Sequence, residues 1–348
     1  MTPYRSGRDF ILARYDEARR ASSGKGWVQV SNGVMHPGEA YTITIDDDVV
    51  QNVLRFVWNK NNAIGTTSSC VVTRSSTGSD SDRGWNGIGN GTLTHAQLDS
   101  LPEEAKVQIY DHEAKSYIPV TADLFTYAVG TAFFYQALST TPVTLTSADA
   151  TVERPLRAPQ NTGRKVGEFF LTLKAENSNR ISDVLYASAS EEATGEYWLG
   201  HDLLKMSNPT ESKSAQMWTV SQDMKLCDIE MPLQNNKAST PLNFYAPKAG
   251  TYTIGIEAAP EDAELYMTLN GKIFWNLSMS PYTLDLTQGT TEGYGLRIMT
   301  RNQTTTDIEE TEFSGQDSEV RKVLIDDVVY IVTPDGKMYD IVGKGVKF

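Results

Sequence analysis

The chain has 348 residues, 39% of them hydrophobic, with 31 basic against 44 acidic side chains and a formal net charge of −13. That apolar content supports packed cores and argues against wholesale disorder, and the length predicts two domains or three. The acidic excess argues against a nucleic-acid partner, which needs a basic footprint, and against charge-driven docking on anionic lipid; no apolar run is long enough to span a bilayer.

In chain order, Met1–Arg8 (MTPYRSGR) has neither the apolar stretch nor the small-residue cleavage site of a signal peptide. Apolar patterning is under way by Phe10, so the sequence reads as a portion of a longer precursor. Apolar and polar residues then alternate in Tyr41–Asp46, Leu54–Trp58, Phe169–Lys174, Tyr252–Glu257 and Leu265–Asn270, the period of half-buried strands. Within Glu264–Leu277, Asn270-Gly271 between two such runs predicts a hairpin, because both central residues of a type I′ turn need positive φ. Helical signals are few: Leu98–Ala105 and Tyr197–Met206 can each supply a turn or two. The glycine-rich stretch Gly84–Gly91 (GWNGIGNG) lacks a lysine and a following helix, so it is predicted to be a tight turn and not a phosphate loop.

Polar turn formers break the pattern near Ser139–Pro142 and again at Arg157–Arg164, and Arg301–Ser318 is acidic and without apolar periodicity, as a linker is. Short strands follow at Val323–Ile325, Val328–Val332 and Met338–Val342, with Pro334-Asp335-Gly336 as a turn. The expected fold is therefore all-β: two β-sandwich-like domains (1–150 and 151–305), an acidic linker (306–320) and a short β-hairpin C-terminal tail (321–348). So few tail strands bury little surface by themselves.

Candidate chemistry is sparse. Cys70 and Cys227 lie far apart and are expected to be small buried residues, since two cysteines make neither a disulfide framework nor a zinc site. Four histidines scatter without metal spacing. His201-Asp202 is at most half of a dyad, as no G-x-S-x-G elbow accompanies it. Glu191, Glu192, Glu196 and Glu230 include no pair that sequence can place across a glycosidic bond. Asp46, Asp47 and Asp48, and also Asp80 with Asp82, are the carboxylate clusters suited to a hard cation, though neither has EF-hand spacing; as strand-end charges they simply face water. No cofactor is expected. Sugars stack on exposed aromatic faces, and Trp85 and the pair Tyr197 and Trp198 are the aromatics expected at the surface, with Trp85 more readily a structural pin of its loop than a sugar platform. Trp27, Trp58, Trp218 and Trp275 are expected in cores.

The segment Lys322–Lys347, with K-V-L-I-D-D-x-V-Y-I followed by D-G-K-x-Y-D-I-x-G-K-x-V-K, resembles the short C-terminal sorting domain of type IX secretion substrates in Bacteroidetes. Gly195–Met206, Ala215–Thr219, Met231–Leu233, Gly250–Ile256, Trp275–Leu286 and Gly293–Arg297 resemble the β-rich module that commonly precedes such a tail. Tyr15–Gly38, Gly84–Gly91 and Ala132–Ala137 resemble the surface modules of the same proteins, with Gly91 after Asn90 where those carry proline. The resemblance implies recognition by the type IX machinery through Lys322, Asp335, Gly336, Lys337, Tyr339 and Gly343, and an extracellular or outer-surface location. It also makes Ser100, in Asp99-Ser100-Leu101, an O-glycosylation acceptor. The expected role is non-catalytic: structural, adhesive or recognition of a glycan or surface protein. The alternatives are an accessory region of a secreted protease or glycosidase, or a carbohydrate-binding module.

Overall fold

The computed structural model describes residues 10–30, 35–45, 66–92, 94–98, 100–101, 105–122, 126–147, 166–176, 178, 180–206, 209–257 and 260–301, and the backbone of four strands within 321–346. The protein is all-β, and the chain divides into two compact units, Met1–Asn302 and Gln303–Phe348. Leu54–Trp58 and Asp46–Asp48, the linker after Arg301, and Asp335, Gly336, Lys337 and Gly343 lie outside the described residues.

The first half of the larger unit starts with β1 (Phe10–Tyr15), α1 (Glu17–Ser23), β2 (Trp27–Gln29) and β3 (Tyr41–Ile45), in sheet order β2-β1-β3. Asp16 caps α1 by accepting from the Arg19 N–H, and Gly24 closes it in the left-handed region. Two further sheets follow, one of β4 (Thr67–Val72), β10 (Thr141–Ser147) and β6 (Ala96–Leu98). The other holds β5 (Trp85–Gly89), β9 (Ala132–Gln136), β7 (Lys106–Asp111) and β8 (Ser116–Thr121). They face each other across a core that includes Val72, Ile88, Val107, Phe133, Val143 and Leu145.

Gly84–Gly91 is thus mostly strand β5 and not the predicted turn. Its glycines serve close packing: a Cβ on Gly89 would stand 2.5 Å from the Glu39 carbonyl oxygen, and one on Gly87 2.8 Å from the Ala40 Cβ. The period of two survives, but composition hid it, because the small residues are the ones facing the neighbouring chain.

The second half contributes β11 (Val166–Ala175), β12 (Ile181–Ser190), β13 (Leu203–Leu204), β14 (Gln216–Ser221), β15 (Met224–Pro232), β16 (Lys237–Ala246), β17 (Gly250–Ile256), β18 (Ala263–Leu269), β19 (Lys272–Asn276), β20 (Tyr282–Leu286) and β21 (Gly289–Thr300). They form one sheet in the order β19-β18-β21-β16-β14-β15-β12-β11-β17-β20, with β13 added on β15. Its pairs are antiparallel except β12 with β15. The sheet curls until β11 lies against β18 and β21. Phe274 and Trp275 of one edge strand then meet Tyr282 of the other at 5.1 and 5.3 Å between ring centres. Alternate residues such as Leu171, Leu185, Met217, Leu242, Met267 and Leu296 fill the enclosed core. The Asn270-Gly271 hairpin forms as predicted, with φ of 51° and 79°. Tyr197–Met206 forms no helix; it is a loop ending in β13.

In the tail unit, β22 (Arg321–Ile325), β23 (Val328–Val332), β24 (Met338–Asp340) and β25 (Gly345–Val346) pair antiparallel in chain order. Lys322 lies on β22 and Tyr339 on β24. No helix among the described residues is long and apolar enough to cross a membrane.

Candidate functional site

Of the aromatics expected at the surface, Trp85 is buried, whereas Tyr197 and Trp198 are partly exposed. Trp85 is 0% exposed. It shares a cluster with Phe134, Leu203 and Cys227, and its Nε1 donates to the Ser81 carbonyl at 2.9 Å. Strand geometry turns it inward, so it pins the 79–84 loop and offers no face to a ligand. Trp198 is half-buried and stacks on the His201 ring at 3.7 Å and 18°. The Tyr197 hydroxyl donates to Gln136 Oε1 at 2.6 Å, tying this loop to β9. Trp275, expected in the core, is instead 38% exposed at the sheet edge.

The His201 ring addresses Glu230. Its Nδ1 lies 2.8 Å from Glu230 Oε2, and Ser190 Oγ donates to Glu230 Oε1 at 2.5 Å. The serine hydroxyl addresses the carboxylate and not the imidazole, so the order of nucleophile, base and orienting acid used in acyl transfer is not formed. Asp202 accepts backbone N–H bonds from Trp198 and Glu230, both at 2.8 Å. Burial nevertheless pushes its carboxyl up to about 7, those two bonds offsetting only part of the effect. Glu191, Glu192 and Glu196 are exposed, whereas Glu230 is buried.

Asp80 and Asp82 serve arginines. Asp80 pairs with Arg74 and Arg83, and the Arg83 guanidinium holds it below the ordinary carboxylate range. Asp82 pairs with Arg20. Among the described residues no three of His, Cys, Asp and Glu are grouped to hold a metal. Ser100 is exposed, and its Oγ accepts from the Thr144 N–H at 2.7 Å. Cys227 is buried and Cys70 partly so; burial pushes the Cys70 thiol up to about 11.

Sequence gave no sign of the buried ionic network where the two halves meet. Lys106 of β7 reaches Glu168 at 2.6 Å and Asp228 at 2.9 Å, over the Tyr186 ring. Burial alone would lower the Lys106 ammonium; the two carboxylates outweigh it and raise the group. Lys205 and Asp183 form a second pair at 2.7 Å with no solvent contact on either side chain, and Asp183 also accepts from the Met217 N–H. Gln108 holds the strand between them, donating to the Leu204 carbonyl and accepting from the Met206 N–H.

An open groove of about 860 Å³ lies on the outer face of β14, β16, β21 and β18. Residues alternating with the core positions line it: Trp218, then Ser239 and Asn243, then Thr268, Gly295 and Arg297. Its middle is a β-bulge, because Leu242 pairs with Tyr294 and Phe244 with Thr291, leaving Asn243 opposite Glu292 and Gly293. Gly293 has φ 92°, the backbone such bulges use to re-aim a side chain. Trp218 forms part of the floor beneath Lys225, whose Nζ lies 4.6 Å from the ring centre. Arg297 forms one wall, donating to Ser239 Oγ and the Gly271 carbonyl. Trp218 was expected in the core, and at 2% exposed it nearly is. The alternation of Ser239 and Asn243 with Leu242 and Phe244 was the readable signal; the bulge was not.

Fold and site together define an all-β protein with a bulged, polar groove on the face of a nearly closed sheet. Comparison with protein-family models, with curated proteins and with solved structures finds no match.

Proposed function

We propose that this chain is the non-catalytic C-terminal portion of an exported bacterial surface or secreted protein, addressed to the type IX secretion machinery by residues 321–348. The observation that carries the reading is the tail. A sequence resembling a sorting domain coincides with a separate compact unit, whose four short strands pair in chain order. The upstream strands then act by display, holding their outer faces toward a glycan or a surface protein. A non-catalytic role is supported by the arrangement of the candidate groups: Ser190, His201 and Glu230 are joined in an order that activates no nucleophile, and Asp80 and Asp82 are spent on arginines.

The test is delivery. In a Bacteroidetes host with a working type IX system, deleting Lys322–Phe348 from the full precursor is expected to retain the protein in the periplasm. Grafting 303–348 onto a periplasmic fluorescent protein is expected to carry it to the surface. Normal surface delivery of the deletion would overturn the reading.

A further inference from the structure

The groove on β14, β16, β21 and β18 has the chemistry of a ligand site. Its charges cancel: Lys225 and Arg297 stand against Asp223 and Glu292. Both cations are already placed, one over the Trp218 ring and the other between Ser239 and the Gly271 carbonyl. The groove therefore presents no field that would select an anion or a polycation. What remains open is the two carboxylates and a row of neutral polar groups. The amides of Gln222, Asn243 and Asn270 line it, and each carries a donor and an acceptor side by side. None of the three makes a side-chain hydrogen bond to a described residue.

The backbone narrows the choice further. These four strands are interior to the sheet, paired on both sides, so an extended peptide finds no free edge to join. Gly293 and Gly295 keep the floor low: a Cβ on Gly295 would stand 2.6 Å from Thr268 Oγ1. The bulge turns Asn243 toward the space so cleared. A volume of about 860 Å³, open along its length, exceeds what one sugar ring needs.

We propose that this groove binds a neutral oligosaccharide, its hydroxyls bonded by Gln222, Asn243 and Asn270 and its rings lying over the low floor at Gly293 and Gly295. The assignment names the ligand class for the recognition role proposed above and rests on that role, not on the export route.

The experiment is isothermal titration calorimetry of the purified full chain against six-sugar neutral fragments of cellulose, xylan, mannan, β-1,3-glucan and chitin, with heparin and polygalacturonate as anionic comparisons. At least one neutral fragment is expected to bind with Kd below about 1 mM. Asn243→Ala or Gln222→Ala is expected to weaken it at least about tenfold, equivalent to about 1.4 kcal/mol. Thr253→Ala, on β17 in the opposite wall, is expected to leave binding unchanged. The proposal is overturned if no neutral fragment binds, if an anionic polymer binds in preference, if neither groove variant weakens binding, or if Thr253→Ala weakens it equally. Purified protein is used, so a failure of the delivery test leaves this outcome standing.

Discussion

Lys205 and Asp183 touch each other at 2.7 Å with no water on either. Removing two charges from water costs several kcal/mol, which their attraction does little more than repay. The pair is therefore a poor source of net stability but a severe liability once broken. Burial pushes the Asp183 carboxyl up, while Lys205 and the Met217 N–H pull it back toward the charged form. Lys205→Met, which leaves the carboxylate alone, is expected to destabilise by about 3–5 kcal/mol, read as a lower urea midpoint at unchanged slope. Adding Asp183→Leu removes the stranded charge and is expected to recover part of that loss. About 1–3 kcal/mol stays missing, because the Met217 N–H then lacks an acceptor. A cost below about 1 kcal/mol for Lys205→Met would show that water reaches the pair. None of this was legible in the sequence, since a lysine in a loop and an aspartate in a strand look like ordinary surface charges until the fold closes over them.

Strands were the most readable elements, because alternation is written into the residues themselves: β3, β17, β18 and the Asn270-Gly271 turn lie where the pattern places them. Two elements misled for opposite reasons. Tyr197–Met206 has helix-forming composition, but the Asp202 side chain takes the Trp198 N–H and Tyr197 reaches Gln136, so tertiary bonds hold an open loop. β5 has turn composition, yet its glycines exist for close approach. That account separates two glycines of the first half. Gly89 lies outside the left-handed region, but an added Cβ meets the Glu39 carbonyl oxygen, which belongs to backbone and cannot swing aside. Gly130 has φ 76° with open space around it. Gly130→Ala is expected to cost about 1 kcal/mol from the left-handed backbone alone. Gly89→Ala is expected to cost about 3 kcal/mol, the upper part of the overpacking range. Urea denaturation of the two variants checks the order, and equal costs would mean that β5 and residues 39–40 separate easily.

At the scale of the larger unit, two halves share a wall. The inner faces of β11 and β12 belong to the curled sheet's core through Leu171, Leu173 and Leu185. Their outer faces carry Phe170, Val184 and Tyr186, which pack against Ile118 of β8. Sequence predicted β11 as a half-buried strand, and half-burial is what it would have if its half stood alone. It is buried on both faces because the first half covers it. Separating the halves would expose those aromatics and strand Glu168 and Asp228 without Lys106, each a loss of several kcal/mol. Neither half can therefore open far without the other, and residues 10–301 are expected to unfold as one cooperative unit. Hydrogen exchange by mass spectrometry in rising sub-denaturing urea reads this directly, since strands of one cooperative unit converge on one opening free energy. Amides of β9 in the first half and β16 in the second are expected to merge to a single value. Two values that stay apart as urea rises would show that the buried lysines ride on an interface that opens independently, and that the groove on β14, β16, β21 and β18 draws its rigidity from the curled sheet alone.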